Sequence, residues 1–456
     1  MLETVFNQSL WGDEGFSAIL SMKSIPDIIK VISHDTSPPL YNITEHLAFQ
    51  AFGTSEVVIR GLSFFYFILA IFFTYKIGAF LFSKRTGLFA AILTFLNPFF
   101  FTYAFEGRMY SILALGVTAS MYFFIKSVVV GGKGNRIGYI IATLWAIYSH
   151  HFAFFALAVQ GVWFLFELVF GQRALAKKLF KCFIIIGILY LPWIYPLYKQ
   201  TQMVGGGFWL GTPTLTDLRN LIYEYLAQGI KYEQFKIPLT TIPLYQVSLY
   251  LTFIILVLRR WHKSFKKSFF VVLWFLIPIL ITWGLSQKFQ SIFFNRYLLF
   301  SIPAAMIILT SSRRKYSLIL IAVLAIFFAI TDFHYFTHPT KLPFRQMAAY
   351  VLENKKEGDY LINWNSAAHH LWETKYYKVF APIYIPENNE LPFFVGTALM
   401  EPGDVVHEIP YTATRVGVFT SGSVDEIKIP GYTEENVHAL SDLKFIWYEK
   451  VSKSSK

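Results

Sequence analysis

The sequence predicts a polytopic α-helical membrane protein of about ten spans with a C-terminal α/β domain outside the membrane, and three observations predict it. Of 456 residues, 55% are hydrophobic and only 15% are charged, against roughly 25% charged in a soluble domain. The apolar residues fall in runs of membrane-crossing length until about residue 331, and then the runs stop. The Lys and Arg residues, which give a net charge of +12, collect in short clusters between those runs. A nucleic-acid-binding protein would spread the same charge along one face or stripe, so that class is excluded.

A helix satisfies its own backbone polar groups, so about 17 to 25 mainly apolar residues suffice to cross the hydrocarbon core. Such runs lie near 57–82, 87–105, 109–130, 137–149, 152–170, 180–198, 243–260, 268–286, 297–311 and 315–331. The fourth is short and polar-ended, which fits a partly re-entrant segment. Cytoplasmic loops carry an excess of Lys and Arg. Every second loop here does so: Lys84 and Arg85; Lys133 and Arg136; Arg173, Lys177, Lys178 and Lys181; Arg259, Arg260, Lys263, Lys266 and Lys267; Arg313, Arg314 and Lys315. The other loops then lie outside, among them segment 1–56, the turns at Glu106 and His150, the long loop 199–242 and everything after 331. Segment 1–56 is expected outside with no apolar span ahead of it, which fits a chain shortened by one N-terminal span or, as the less favoured alternative, a first helix that inserts as a hairpin after synthesis.

The domain organisation that follows is a membrane domain over 1–331 and an extracytoplasmic α/β domain over 332–456. Within the latter, 343–357 is helical in pattern, and Asp359–Asn363 and Thr414–Phe419 read as strands. The loop 199–242 holds Gly205-Gly-Gly207 among aromatics and suits an interfacial helix or a lid. A single cysteine, Cys182, rules out an intrachain disulfide.

Chemistry concentrates at the outer ends of the spans. The adjacent carboxylates Asp13 and Glu14 stand beside Trp11 and Phe16, a setting that suits a base or a cation-binding anion as well as a solvated helix start. His34 and Asp35 precede Pro38-Pro39, which fix an extended backbone. Arg60, Glu106, Arg108, His150, His151 and Arg296 all map to the same membrane side. Ionisable groups at a membrane edge are costly and face a bundle interior or a wet cavity, so their convergence points to one site. Carboxylates together with several cations suit an activated hydroxyl attacking a sugar whose phosphate leaving group is gripped by Arg. His34, Asp35, His150 and His151 offer a divalent metal site as the alternative, although their spacing matches no ligand motif.

At these residues the chain resembles the membrane glycosyltransferases of GT-C fold, in the group of protein O-mannosyltransferases and the transferases that attach aminoarabinose to lipid A. The resemblance rests on Trp11-Gly-Asp-Glu-Gly-Phe-Ser17, Asp35-Thr-Ser-Pro-Pro-Leu-Tyr41, Val58-Ile-Arg-Gly-Leu62, Glu106-Gly-Arg-Met-Tyr110, Ser149-His-His-Phe152 and Asn295-Arg-Tyr297, and covers roughly residues 5–330. It implies an inverting transfer from a polyprenyl-phosphate sugar to a hydroxyl of a protein, lipid or glycan acceptor. It implies Asp13 as base with Glu14 beside it, and Arg60 and Arg296 on the donor phosphate. Asp35, Glu106, Arg108, Tyr110, His150, His151 and Tyr297 are the remaining substrate-binding candidates. It implies no certain cofactor, a divalent metal staying open, and the bilayer rather than nucleic acid as surroundings. In two respects the chain departs from the family: Ser37 stands where the mannosyltransferases have His before the paired prolines, and the span before the acidic loop is missing.

Two other readings compete. A transporter or flippase places its charges near the bilayer midplane, often within repeated halves; here they cluster at one face. A membrane-anchored scaffold would explain the C-terminal domain but has no use for Arg and carboxylates on several outer turns.

Overall fold

The computed structural model describes residues 3–228, 242–258, 265–312, 315–364, 369–386 and 390–451. Arg259, Arg260, Lys263, Arg313, Arg314 and the 229–241 part of the long loop lie outside the described residues.

The helices run α1 Gly12–Ser21, α2 Ile25–Ile32, α3 Leu40–Phe52, α4 Glu56–Leu81, α5 Lys84–Phe95, α6 Pro98–Ala104, α7 Tyr110–Val129, α8 Lys133–Ser149, α9 Ala153–Phe170, α10 Arg173–Tyr190, α11 Ile194–Gly205 and α12 Leu215–Tyr223. They continue as α13 Ile242–Leu258, α14 Phe265–Leu285, α15 Ile302–Thr310, α16 Lys315–Thr337, α17 Phe344–Asn354 and α18 His370–Tyr376. The strands are β1 Asp359–Trp364, β2 Ile383–Tyr384, β3 Val405–Val406, β4 Arg415–Thr420, β5 Tyr432–Leu440 and β6 Leu443–Lys450.

Among the described residues, α4, α7, α9, α14 and residues 317–337 of α16 are long and apolar enough to cross a membrane. A sixth crossing needs α5 and α6 together, and these meet at 64°. The bend has a local cause: Asn97 breaks the helix, caps the next one by accepting from the Phe100 N–H at 3.0 Å, and is followed by Pro98 in the first turn. The expected count of about ten is therefore not reached by full-length helices, since α13 and α15 are apolar but short. The fourth expected span, α8, is a continuous 17-residue helix rather than a broken one.

The chain forms two compact units: one of residues 1–35, 42–59 and 339–456, the other of 36–41 and 60–338. A single cut after residue 331 does not describe this division, because the N-terminal helices pack with the C-terminal segment. In the larger unit α7 is the inner helix, with 72% of its apolar window buried against 33% for α9, whose outward side is free to meet lipid. Close approach depends on a small residue: a Cβ on Gly116 of α7 would sit 2.7 Å from Ala146 Cα of α8. Nearby, Tyr139 donates to Gln160 Oε1 at 2.6 Å, Gln160 donates to Ser120 Oγ at 2.9 Å, and Ser120 meets Thr143 Oγ1 at 2.8 Å. These bonds tie α7, α8 and α9 together where hydrocarbon offers no other partner. Gly116→Val should lower the thermal midpoint of the detergent-solubilised protein, overpacking of this kind costing about 1–3 kcal/mol. An unchanged midpoint would mean that α7 and α8 do not pack through Gly116.

In the other unit a six-stranded sheet has the order β3-β2-β1-β4-β6-β5. β3, β2, β1 and β4 are parallel, and β6 and β5 complete the sheet antiparallel. Alternation along β1, β4 and β6 sends Leu361, Phe419, Phe445 and Trp447 to one face and Ile362, Val418, Ile446 and Tyr448 to the other. The first face receives Phe344, Met347 and Val351, a stripe at helical spacing on α17.

Candidate active site

The acidic pair opens α1. Glu14 is fully buried and accepts the Trp11 N–H at 3.4 Å, so its carboxylate caps the helix N-terminus. Asp13 is half-buried. Two glycines let α1 lie against the C-terminal segment of the same unit: a Cβ on Gly12 would meet His369 Cβ at 2.5 Å, and one on Gly15 would meet the Trp372 backbone at 3.0 Å. Phe16 packs edge-on against Trp372 at 5.3 Å. On the other side, Ser21 donates to Glu45 of α3 at 2.7 Å and receives from Asn42 at 3.1 Å.

The stretch ahead of α1 is fastened to the C-terminal segment as well. Gln8 accepts from the Thr340 and Lys341 N–H groups at 2.8 and 3.0 Å, the Leu10 N–H donates to Tyr377 at 2.9 Å, and Arg345 pairs with Glu3 at 3.1 Å and Glu56 at 3.4 Å. Lys341 Nζ stands 4.3 Å from the Trp11 ring centroid. Asp35, nine-tenths buried, ends the turn after α2, whereas His34 is exposed and bonds its own helix end at Lys30 O, 2.9 Å away. Among the described residues no group of three His, Cys, Asp or Glu could hold a metal ion.

The larger unit gathers the cationic residues. Arg296 follows Asn295 in a 3-10 turn and is ringed by aromatic faces, with Phe294, Tyr110 and Tyr297 centroids 4.9, 5.5 and 5.8 Å from the guanidinium carbon. Its Nη1 lies 3.8 Å from Glu106 Oε1. Planar guanidinium stacks on such rings and keeps its edge for an anion. The charges of Arg296, Arg108 and Glu106 all bear on Tyr110, whose buried hydroxyl has no hydrogen-bond partner among the described residues. His150 closes the group with its ring 5.0 Å from Tyr297. Its Nδ1 accepts the Phe152 N–H at 3.1 Å, which leaves the proton of the neutral ring on Nε2.

His151 plays a different part. Its Nε2 bonds Gln200 Oε1 at 2.7 Å, its Nδ1 meets the Tyr190 hydroxyl at 3.4 Å, and Gln200 in turn donates to the Ser37 carbonyl at 3.2 Å. Both ring nitrogens are thus engaged, and the Nε2 side leads through Gln200 to the backbone before Pro38-Pro39. Arg60 is fully buried near the start of α4, one turn in from Glu56.

Two carboxylates were missed in the sequence. Glu224, in a π-helical turn after α12, is buried and accepts from Asn295 Nδ2 at 3.0 Å, while the hydroxyl of the adjacent Tyr225 donates to the Asn295 carbonyl. Together they fix the turn that aims Arg296; a lone Glu in a long loop gave no signal. Glu373 of α18 is within electrostatic range of Asp13 and Glu14.

Comparisons with known proteins agree with this architecture. Residues 36–195 match the family of dolichyl-phosphate-mannose-protein mannosyltransferases. No curated protein matches the chain by sequence. Among solved structures, ArnT from Cupriavidus metallidurans in the apo state superposes with a TM-score of 0.69 at 13% identity, over 97% of this chain and 94% of that one. The same protein bound to undecaprenyl phosphate gives 0.61 at 13% identity, over 98% and 96%. The oligosaccharyltransferase of Archaeoglobus fulgidus gives 0.54 at 13% identity, over 82% of this chain and 58% of that one. The chain is an integral membrane protein of the GT-C glycosyltransferase fold. Within that class it is similar to the mannosyltransferase and ArnT-like group, as the motifs implied.

Proposed function

We propose that the protein is an inverting glycosyltransferase that moves a sugar from a polyprenyl-phosphate donor to an acceptor hydroxyl on the extracytoplasmic face of the membrane. The observation that carries this reading is the aromatic-walled Arg296 with Glu106, Arg108 and His150, an anion-binding cluster in a GT-C fold. ArnT from Cupriavidus metallidurans bound to undecaprenyl phosphate and the Archaeoglobus fulgidus oligosaccharyltransferase in complex with a dolichol-phosphate support a lipid phosphate as the anion.

In this reading Asp13 takes the proton of the acceptor hydroxyl as its oxygen attacks the anomeric carbon opposite the phosphate. The bond from that carbon to the phosphate oxygen breaks, and its electron pair leaves with the phosphate. Arg296 and Arg60 stabilise the charge that develops there, with Arg108, Tyr110, His150 and Tyr297 shaping the donor side. Glu14 caps the helix that carries Asp13, Asp35 is a further substrate-binding residue, and His151 reaches the Pro38-Pro39 turn through Gln200. The acceptor is a protein, lipid or glycan hydroxyl, and the segment 332–456 lies outside the membrane with it.

The test is transfer by purified protein from undecaprenyl- and dolichyl-phosphate forms of mannose, glucose and aminoarabinose. Failure to transfer or hydrolyse any of them, with intact binding of a solute, would sink the enzyme reading. Orientation is tested separately. The buried Cys182 is the only cysteine, and Tyr411 is exposed. Tyr411→Cys should react with a membrane-impermeant maleimide applied to intact cells; labelling only after lysis would invert the topology.

A further inference from the structure

We propose that His150 is a catalytic residue of this transfer, a neutral imidazole whose Nε2–H donates to the departing phosphate and keeps its proton throughout. The inference rests on the lipid-phosphate reading of the Arg296 cluster and gives His150 a bond, a tautomer and a charge within it. The cluster is organised around one ring. Tyr297 has the Phe152, His150, Phe294 and Tyr110 rings at 5.0, 5.0, 5.2 and 6.2 Å, and the Arg296 guanidinium carbon at 5.8 Å. His150 and Arg296 therefore stand against the same ring, and an anion at the guanidinium edge has the imidazole beside it.

The backbone decides which nitrogen is left for that anion. His150 ends α8, and its Nδ1 accepts the Phe152 N–H at 3.1 Å, a local bond to the backbone two residues on. A ring nitrogen that accepts carries no proton, so the neutral ring has its proton on Nε2. That Nε2 has no hydrogen-bond partner among the described residues, although the residue is only 7% exposed. A polar group so placed is unfavourable until something supplies its partner.

The ring stays neutral because its surroundings oppose a second proton. Burial holds its acid constant well below the ordinary histidine range, and His151, Arg108 and Arg296 push the same way. Of the carboxylates in the cluster, Glu106 lies 3.8 Å from Arg296 and Glu224 accepts from Asn295 at 3.0 Å.

In the transfer step the acceptor proton passes to Asp13, the bond from the anomeric carbon to the phosphate oxygen breaks, and its electron pair goes to the phosphate. The Nε2–H bond to a phosphate oxygen strengthens as that charge grows, and the imidazole proton stays where it is. The diester donor carries about one negative charge and the monophosphate product nearly two. A neutral donor grips the growing charge without adding a further cation that would hold the product back.

The experiment compares His150→Asn with His150→Gln in the full chain, embedded in nanodiscs. Asn keeps an acceptor for the Phe152 N–H in the position of Nδ1 and ends short of Nε2. Gln carries an amide N–H out to the place of Nε2. Asn should melt with wild type yet bind undecaprenyl phosphate roughly tenfold more weakly, as expected for one lost hydrogen bond to a charged group. Its kcat should fall roughly 10²-fold, measured with whichever of the lipid-phosphate sugars above the wild type turns over fastest. Gln should recover most of both losses. Calorimetric titration in two buffers of different ionisation enthalpy should find equal proton uptake on binding in wild type and Gln, because the phosphate titrates and His150 does not.

Asn binding and turning over like wild type would take His150 off the phosphate. Gln doing no better than Asn would leave the ring a packing role against Tyr297, and greater proton uptake in wild type than in Gln would make the imidazole a cation. Each of these results overturns the proposal, and the last two decide it even if Asn fails to fold. A wild type that binds no undecaprenyl phosphate removes the lipid-phosphate reading as a whole. A wild type that binds it, beside an unaffected Asn variant, removes only the role of His150.

Discussion

Asp13→Asn is expected to reduce transfer by roughly 10²- to 10⁴-fold, the usual contribution of a positioned general base. The reason lies in how the first turn of α1 divides its two carboxylates. Glu14 is fully buried and accepts the Trp11 N–H at the helix start, whereas Asp13 is half-buried. The Asn side chain matches Asp in shape and leaves the Glu14 cap in place, so heat stability should change little. Donor affinity should also survive, because the Arg296 cluster carries no contribution from Asp13 in this reading. The diagnostic result is loss of kcat with retained binding of undecaprenyl phosphate. Near-normal turnover would remove Asp13 from the base role, and an unfolded variant would be recognised by its melting curve.

The parts of this arrangement that the sequence displayed are those coded over short stretches. The helix expected over 343–357 forms over Phe344–Asn354, and the strands expected at 359–363 and 414–419 form as β1 and β4. Asn97-Pro98, in the middle of what reads as one apolar run, was visible in the sequence, yet composition alone could not show that it bends the chain by 64°. The apolar run of α15 was legible, but its helical length was not, because the run begins in 3-10 turns ahead of the helix.

What escaped the sequence is long-range. That Gly12 and Gly15 are small because His369 and Trp372 lie against them is a fact about residues more than 350 positions apart. No local periodicity reports such a pairing. For the same reason the C-terminal segment gave no signal of its own: Lys341 finds its place only when the Trp11 ring ahead of α1 is beside it. The Asn-Arg-Tyr motif, by contrast, marked Arg296 directly, and what the fold added was its setting of three rings and the Glu224 brace.

That setting makes Arg296→Lys the second large effect. Lys keeps the positive charge, so a site that needed only a cation near the donor phosphate would tolerate the change. The geometry argues otherwise. Phe294, Tyr110 and Tyr297 lie around a flat guanidinium at 4.9 to 5.8 Å, and Asn295, which positions the turn, is bonded to both Glu224 and Tyr225. An ammonium neither stacks in this slot nor offers paired donors to a phosphate. Losing one charge-assisted hydrogen bond, worth about 1.5–3 kcal/mol, should weaken undecaprenyl phosphate binding roughly 10- to 100-fold. Arg296→Ala should bind no better than Arg296→Lys. Titration of the nanodisc-embedded variants with undecaprenyl phosphate distinguishes the cases. If Arg296→Lys bound like wild type while Arg296→Ala did not, the cluster would act through charge alone and the stacked geometry would be structural. If both bound like wild type, the lipid phosphate would be held elsewhere, and Arg60, fully buried at the start of α4, would be the next residue to test.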